Sequence, residues 1–581
     1  MPPSPTRRQL LAGLGAAASS SLAGCADMVW PGSGDGPSQV SLSIKTVPAE
    51  DDPLAAMIVS QLEENLRTAG INAAREPMEK SELYRQIFVE REYEVFVARH
   101  PGLNGADGLR SMLHSRFVGE QGWQNPFGFS DVTVDEHLET QLSSDGNDRH
   151  ETLSDLFEYL VETAPYAAVT FPDHLGAASS AFELSSLPQQ PADYLELLSE
   201  RPDSRDEDEP LRVGMFGVGS TDRLNPLAVD TSRVGTVLNL LYDPLVREVG
   251  AEPTPWLAEH VSWDGPASAG GSLTATVELH DELTWHDGEP LTADDVAFTF
   301  EFLEDTSLGE GESSVPALRY RGRESLVDAV TVLDTQTVEF VFDGPTREVA
   351  RRSLTIPILP EHIWEPRSEL VGDLWTAALD TDNDEPIGSG LFSFVEATSD
   401  LIELEPVEDH VLRREGVPDY SDPDGDDEYG SIEFRISPGP GAAIEALLED
   451  DLDLIASTLT PGHLEEIEDE PAVSVLTSRT QSFYMIGFNV QQPELGNPNF
   501  RRVVSQLVDR DYVVEELFRG RHAMTVETYS SFAGVLDADL GDVSDPALPP
   551  FPGTDGEINE AQVRSAFEEA GYRYEDGSLM A

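Results

Sequence analysis

Val40-Ser-Leu-Ser-Ile-Lys-Thr-Val47 alternates apolar and polar residues like a half-buried strand. Apolar residues then fall at helical spacing from Asp52 to Ala69 (Leu54, Ile58, Leu62, Leu66), and Gly70 stops them. Ile71–Arg75 reads as a short strand, Ser81–Glu90 as a helix and Tyr93–Ala98 as a buried strand. The order β-α-β-α-β predicts an open sheet with helices on its faces, an α/β fold. Two more helices are predicted near Leu109–Phe117 and Arg149–Thr163. Residues 187–210, with Pro-Gln-Gln-Pro and an acidic run, break the pattern and read as a linker.

A second α/β region opens at Leu211. Strands are predicted at Leu211–Val218 and Ser272–Leu279, and a pair between Val327 and Phe342. A helix begins at a cap near Thr292. Ala442–Leu448 reads as a helix and Leu452–Ala456 as a strand. The last hundred residues hold a strand at Phe483–Val490 and helices at Phe500–Val508, Tyr512–Phe518 and Glu560–Ala570.

Composition bounds the environment. The chain carries 109 acidic against 36 basic residues, a net charge of −73. In dilute buffer such a surface repels itself. At molar salt the Debye length falls to about 3 Å and that repulsion is screened. A solvated surface suited to an extreme halophile follows, with loss of structure at low salt. Clustered Lys or Arg for phosphates is absent, so nucleic acid is excluded as a partner.

The N-terminus reads as an address. Arg7-Arg8 precedes an apolar, small-residue run from Leu10 to Ala23. That run is shorter and less apolar than a spanning helix, which needs about 20 apolar residues. It predicts a signal peptide over residues 1–24 on the twin-arginine route. Leu22-Ala23-Gly24-Cys25 resembles a lipobox, with Cys25, the only cysteine, as the lipid attachment site. Residues 25–39 are Gly, Pro and Ser rich and fit a flexible tether. One cysteine permits neither an internal disulfide nor a thiolate zinc cluster.

From Leu211 the residues become recognisable. Gly219-Ser-Thr-Asp-Arg-Leu-Asn225-Pro226, Leu240-Leu-Tyr-Asp-Pro-Leu-Val-Arg247 and Pro255-Trp256-Leu-Ala-Glu259 come first. The most specific run is Leu283-Thr-Trp285-His286-Asp287-Gly288-Glu-Pro-Leu-Thr-Ala-Asp-Asp295-Val296. Ile387-Gly388-Ser-Gly390-Leu-Phe392, Asn499-Phe-Arg-Arg502 and Phe567-Glu-Glu-Ala-Gly571-Tyr572 follow in order. Together they resemble the family 5 extracellular solute-binding proteins, the peptide- and nickel-binding components of ABC importers, here of haloarchaeal type. In that family a further βαβ run follows the Ala-Gly-Tyr helix. Here its features stand at the other end: Thr46-Val-Pro48-Ala-Glu-Asp-Asp52-Pro53, Thr68-Ala-Gly70-Ile71, Tyr93-Glu-Val95 and Ala164-Pro165-Tyr166. The sequence therefore looks circularly permuted; a fusion of two unrelated modules is the alternative. Permutation is tolerated where termini lie at the surface.

The resemblance implies a two-lobed, periplasmic-binding-protein-like (type II) fold with an extra subdomain. Residues 40–186 would be the second half of a distal lobe, 187–210 a linker, 211–480 the first lobe with the subdomain, and 481–581 the first half of the distal lobe. It implies no enzyme activity and no cofactor or metal. The partners implied are a small solute (a peptide or related molecule), an ABC permease, and the membrane through a lipid anchor. The place of work is the extracellular face of the cell membrane. Peptide binders of the family carry a Trp and an acid after the strand matching Tyr93–Ala98. Here the segment reads Arg99-His100-Pro101-Gly-Leu-Asn104-Gly-Ala-Asp107. The Trp is absent and the acid is out of register, which argues against a free peptide amine. Arg99 and His100 suit an anion or carboxylate, because guanidinium offers a paired donor fork; alternatively Arg99 pairs with a surface acid. Further candidates by family position are Asp222, Asn225, Tyr484 and Asn489, the last alternatively satisfying backbone groups at the hinge.

Other readings stay on the table. No Gly-x-Ser-x-Gly elbow or His-Glu-x-x-His occurs, which weakens a secreted hydrolase. Asp422, Asp424, Asp426 and Glu433 have calcium-loop spacing, but Asp427 stands where glycine is needed. A receptor for a membrane sensor would use the same closure.

Overall fold

A computed structural model describes residues 38–103, 105–182, 184–199, 209–216, 223–229, 234–249, 252–265, 272–372, 375–413, 430–535 and 545–581. The chain enters as β1 (Ser41–Thr46), a helix (Pro53–Thr68), β2 (Asn72–Pro77) and β3 (Val95–His100), and after several helices reaches β4 (Tyr166–Pro172). Next comes β5 (His174–Ser179), then β6 (Leu211–Phe216). A separate four-stranded sheet follows: β7 (Ala258–Asp264), β8 (Ser272–Leu279), β9 (Ala329–Asp334) and β10 (Thr337–Asp343). Then come β11 (Phe392–Ala397), β12 (Leu401–Pro406), β13 (Ile432–Ser437), β14 (Leu454–Ile455) and β15 (Val473–Ser478). The last part holds β16 (Phe483–Phe488), β17 (Ala523–Thr525) and the hairpin β18 (Arg573–Glu575) and β19 (Ser578–Met580).

These strands make two large mixed sheets. One has the order β2-β1-β3-β16-β4-β17 and joins the two ends of the chain. β16 runs antiparallel between β3 and β4, with Gly487 opposite Phe96 and Tyr166. Phe96 explains that glycine: a Cβ at 487 would lie 2.2 Å from its ring. The other sheet has the order β11-β12-β13-β6-β14-β5-β15 and comes mostly from the middle. Each sheet has its own apolar core. One joins residues from Val40 to Phe171 with residues from Phe483 to Leu579. The other draws on residues from Ala178 to Leu476. We call the two parts the end body and the middle body.

Local chemistry explains the elements. Asp52 caps the Pro53–Thr68 helix, accepting from Leu54 N and Ala55 N, and Pro53 suits the first helical position. The face carrying Ile58, Leu62 and Leu66 is fully buried on the end sheet. Thr292 and Asp295 form a reciprocal capping box on the Ala293–Glu304 helix. The first and last described residues meet: Ala581 N donates to Ser38 O, and Val40 N to Leu579 O.

Three expectations change. The linker expected at 187–210 contains a helix, Pro191–Ser199, whose Tyr194, Leu195, Leu197 and Leu198 are buried in the middle body's core; residues 200–208 lie outside the described set. The 40–186 segment divides after Pro172, because β5 pairs with β14 and β15 of the middle sheet. A helix at Val132–Leu142, capped by Asp131, was not foreseen. No helix among the described residues is long and apolar enough to cross a membrane.

Candidate functional site

The chain passes between the two large sheets at two adjacent places. Asp173 alone separates β4 from β5, and Arg479–Ser482 separate β15 from β16. The crossings are tied together. Arg479 Nη1 lies 2.9 Å from Asp173 Oδ1, and Thr480 Oγ1 donates to Pro172 O at 3.0 Å. Asp173 N donates to His522 O. Open α/β sheets bind ligands beyond the carboxyl ends of their parallel strands. Here β3 ends at Arg99 and His100, beside the second crossing.

Arg99 is half-buried at that point. Its Nε and Nη2 both donate to Ser482 Oγ, at 3.1 and 2.8 Å. Ser482 in turn shares a hydroxyl bond with Thr480. The guanidinium acts electrostatically on His174 of β5, on Asp52 and on Tyr484. Among the described residues no carboxylate lies within ion-pair distance of Arg99. Asp52 is nearby but committed: it caps its helix and accepts from Tyr484 OH at 3.0 and 3.1 Å. Burial raises the Asp52 carboxyl above its ordinary range despite those bonds. His174 is drawn down to about 4, first by burial, and its Nε2 sits 2.8 Å from Ala456 O. Arg99 is thus a cation with spare donors, held between a neutral imidazole and an occupied carboxylate.

The other sequence candidates have different surroundings. His100 is in the core, against Trp123 and Phe483, and accepts from Gly102 N. Burial draws it down to about 3, so it is neutral near pH 7. It does not reach solvent beside Arg99. Asp107 is clasped by two arginines, Arg149 at 3.0 Å and Arg352 at 3.1 Å. Asn225 is fully buried; its Nδ2 donates to Ala378 O and Thr381 O, and its Oδ1 accepts from Leu227 N. Asn489 donates to Arg91 O and Tyr93 O, so it satisfies backbone groups, at the foot of β3. Tyr484 is buried and gives its hydroxyl to Asp52. Cys25, Asn104 and Asp222 lie outside the described residues, as do Asp422, Asp424 and Asp426; Glu433 pairs with Arg435 at 2.6 Å. Among the described residues no group of His, Cys, Asp and Glu could hold a metal ion. Sequence reasoning missed Ser482, which an isolated serine in a Thr-Gln-Ser run gives no signal for.

Residues 252–580 match the model of "Bacterial extracellular solute-binding proteins, family 5 Middle". A putative binding protein of Brucella abortus (strain 2308) is 26% identical over 448 residues, covering 67% of this chain and 65% of that protein. A putative ABC transporter peptide-binding protein of Brucella ovis is 24% identical over 250 residues, covering 43% of this chain and 42% of its own. The chain thus spans less than two thirds of the length of these relatives. NikZ of Campylobacter jejuni, solved in complex with Ni(L-His), is 18% identical, with a TM-score of 0.44, 64% of this chain and 65% of that chain covered. The family match takes in more than half of the sequence, and the chain belongs to the family 5 extracellular solute-binding proteins.

Proposed function

We propose that this protein captures a small solute between its end and middle bodies outside the cell and delivers it to an ABC permease. One observation carries the reading: in a family 5 chain, two separately cored sheets are joined by only two adjacent passes of the chain. Such a joint can hinge, because few backbone torsions must change there. A solute that touches both bodies only when they approach shifts the population toward the closed form. The work is binding and closure, and no bond need be made or broken.

The solute is a peptide or a related molecule, a class suggested by the naming of the Brucella relative as peptide-binding. Its contact is an anionic group, a carboxylate above all, on the free donors of Arg99. A half-buried cation favours a counter-charge, and among the described residues none lies within ion-pair distance of it. His100, Asp107, Asn225, Tyr484 and Asn489 are spent on their own chain, so Arg99 is the contact that remains among the described candidates.

The finer parts of the reading have their own supports. Circular permutation is favoured because β16 lies inside the family match while its partners β3 and β4 lie before it. Export by the twin-arginine route, anchoring through Cys25 and life at high salt are supported by the N-terminal residues and the net charge.

A thermal-shift and native mass-spectrometry screen of peptides, anions and metal ions at molar salt tests the function. One ligand class should stabilise the protein. Arg99→Ala should weaken that class at least tenfold, because a hydrogen bond to a charged group contributes about 1.5–3 kcal/mol. Undiminished binding in Arg99→Ala would remove Arg99 from the site. No stabilisation by any class would count against solute capture.

A further inference from the structure

The two bodies also meet away from the crossings, along a seam with no chain passing through it. From the end body come residues 107–149. From the middle body come residues 318–355. Asp107 is the centre of the seam. Its Oδ1 lies 3.0 Å from Arg149 Nη2 within the end body, and its Oδ2 lies 3.1 Å from Arg352 Nη1 across the seam. Arg321 repeats the pattern in mirror image. Its Nε lies 3.0 Å from Glu120 Oε2 across the seam, and its Nη1 lies 2.7 Å from Glu324 Oε2 on its own side. Arg110 adds a bond from Nη1 to Ser325 Oγ at 3.2 Å. Leu142, Leu326 and Val349 form a small apolar cluster of their own across the same line, and Thr346 N donates to Leu142 O.

These contacts are not ordinary surface pairs. Across the seam, the Asp107 and Arg352 side chains are 9% and 20% exposed, and Glu120 and Arg321 20% and 16%. Pairs shielded in this way are screened by salt far less than exposed ones. Breaking one leaves its partner largely out of water with half of its ionic partners gone, which is costly. The chain as a whole carries −73, so bringing its two bodies together is opposed wherever that charge is unscreened. The seam supplies specific attraction that survives the salt needed to remove the repulsion.

We infer that this seam is a latch that holds the two bodies closed with no solute present, with Asp107–Arg352 and Glu120–Arg321 as its two bonds. The inference rests on the hinge reading of the crossings, but not on the identity of the solute. A latched empty form admits solute only when the seam opens, and lowers the cost of closing once solute is in place.

The test is pulsed electron resonance on spin labels at Asn147→Cys and Asp343→Cys, exposed positions on the two sides, in full-length protein carrying Cys25→Ser at molar salt. The solute-free parent should give one short distance. Arg352→Gln and Arg321→Gln should each lower the closed fraction about tenfold, the double variant more. Arg67→Gln, whose partner Glu63 lies within the end body, should leave the distance unchanged. A swapped pair, Asp107→Arg with Arg352→Asp, should recover the short distance that Asp107→Arg alone loses; it also decides the matter if the double variant fails to fold. The latch is overturned if the variants and Asp107→Arg keep the parent's distance, or if the solute-free parent is already open. In the first case, a fixed distance that also ignores every stabilising solute would condemn the hinge reading; a distance that shortens or narrows with solute would condemn the latch alone.

Discussion

The crossings and the seam are two contacts between the same bodies, built on opposite terms. At the crossings the chain itself keeps the parts together, and the ion pair there has one partner in water: Arg479 is 65% exposed and Asp173 3%. At the seam nothing covalent holds the bodies, and the ionic groups are drawn largely out of water. The difference teaches where rigidity is needed. A hinge works when its own bonds are cheap to rearrange. A closed state is selected only by contacts that exist in it and in no other.

The comparison presumes that each body is rigid in itself, and the largest effect should come from loosening one. Gly487→Ala places a Cβ 2.2 Å from the Phe96 ring, in the strand that stitches the two chain ends. Overpacking of this sort costs about 1–3 kcal/mol. Denaturant unfolding at molar salt should show that loss in the end body, with the middle body's transition unmoved; a single shared shift would mean that the bodies do not unfold separately. Loss of a seam pair comes next, as a change in closure more than in folding.

The smallest effect sharpens the comparison through pH. His100 is neutral in the core at about 3, drawn down by burial, and titrates near 6.5 when unfolded. Below pH 6.5 the unfolded chain binds a proton that the folded one refuses. Its stabilisation is therefore complete above pH 6.5 and is lost as pH falls toward 3. The slope is at most about 1.4 kcal/mol per pH unit. His100→Phe should flatten the end body's loss of stability between pH 6.5 and 4. Glu139, beside His114 and Arg110 in the end body, is held at about 2, first by its bond to His114, and so keeps its charge through that window. Glu324 of the seam is raised by burial, so a seam response to acid need not follow His100.

Much of the end sheet was legible because its signals are local. The alternation in Val40–Val47, the Asp52-Pro53 cap and the Gly70 stop each fix structure within a few residues. The sequence expectation failed where long-range packing decides. Pro191–Ser199 is flanked by proline and acidic runs and reads as a linker, yet Tyr194 lies close to Phe434 in the middle core. β5, His174-Leu-Gly-Ala-Ala-Ser179, is mostly small residues with little strand preference, and it exists because β14 and β15 pair with it. At the site, Arg99 was legible as a guanidinium at the end of a buried strand, a place where a paired donor fork can meet an anion. Asp107 was marked as a ligand contact, but its partner Arg352 comes from the other body, and nothing near Asp107 in the sequence announces it.

The account depends above all on the two ends of the chain forming one body that opens and closes as a unit against the middle. Native-state hydrogen exchange at molar salt tests this directly. The amides of β3, β4 and β16 should share one opening free energy, distinct from that of β6 and β13. If β16 exchanges on its own while β3 and β4 stay protected, the ends are not one body and the account fails.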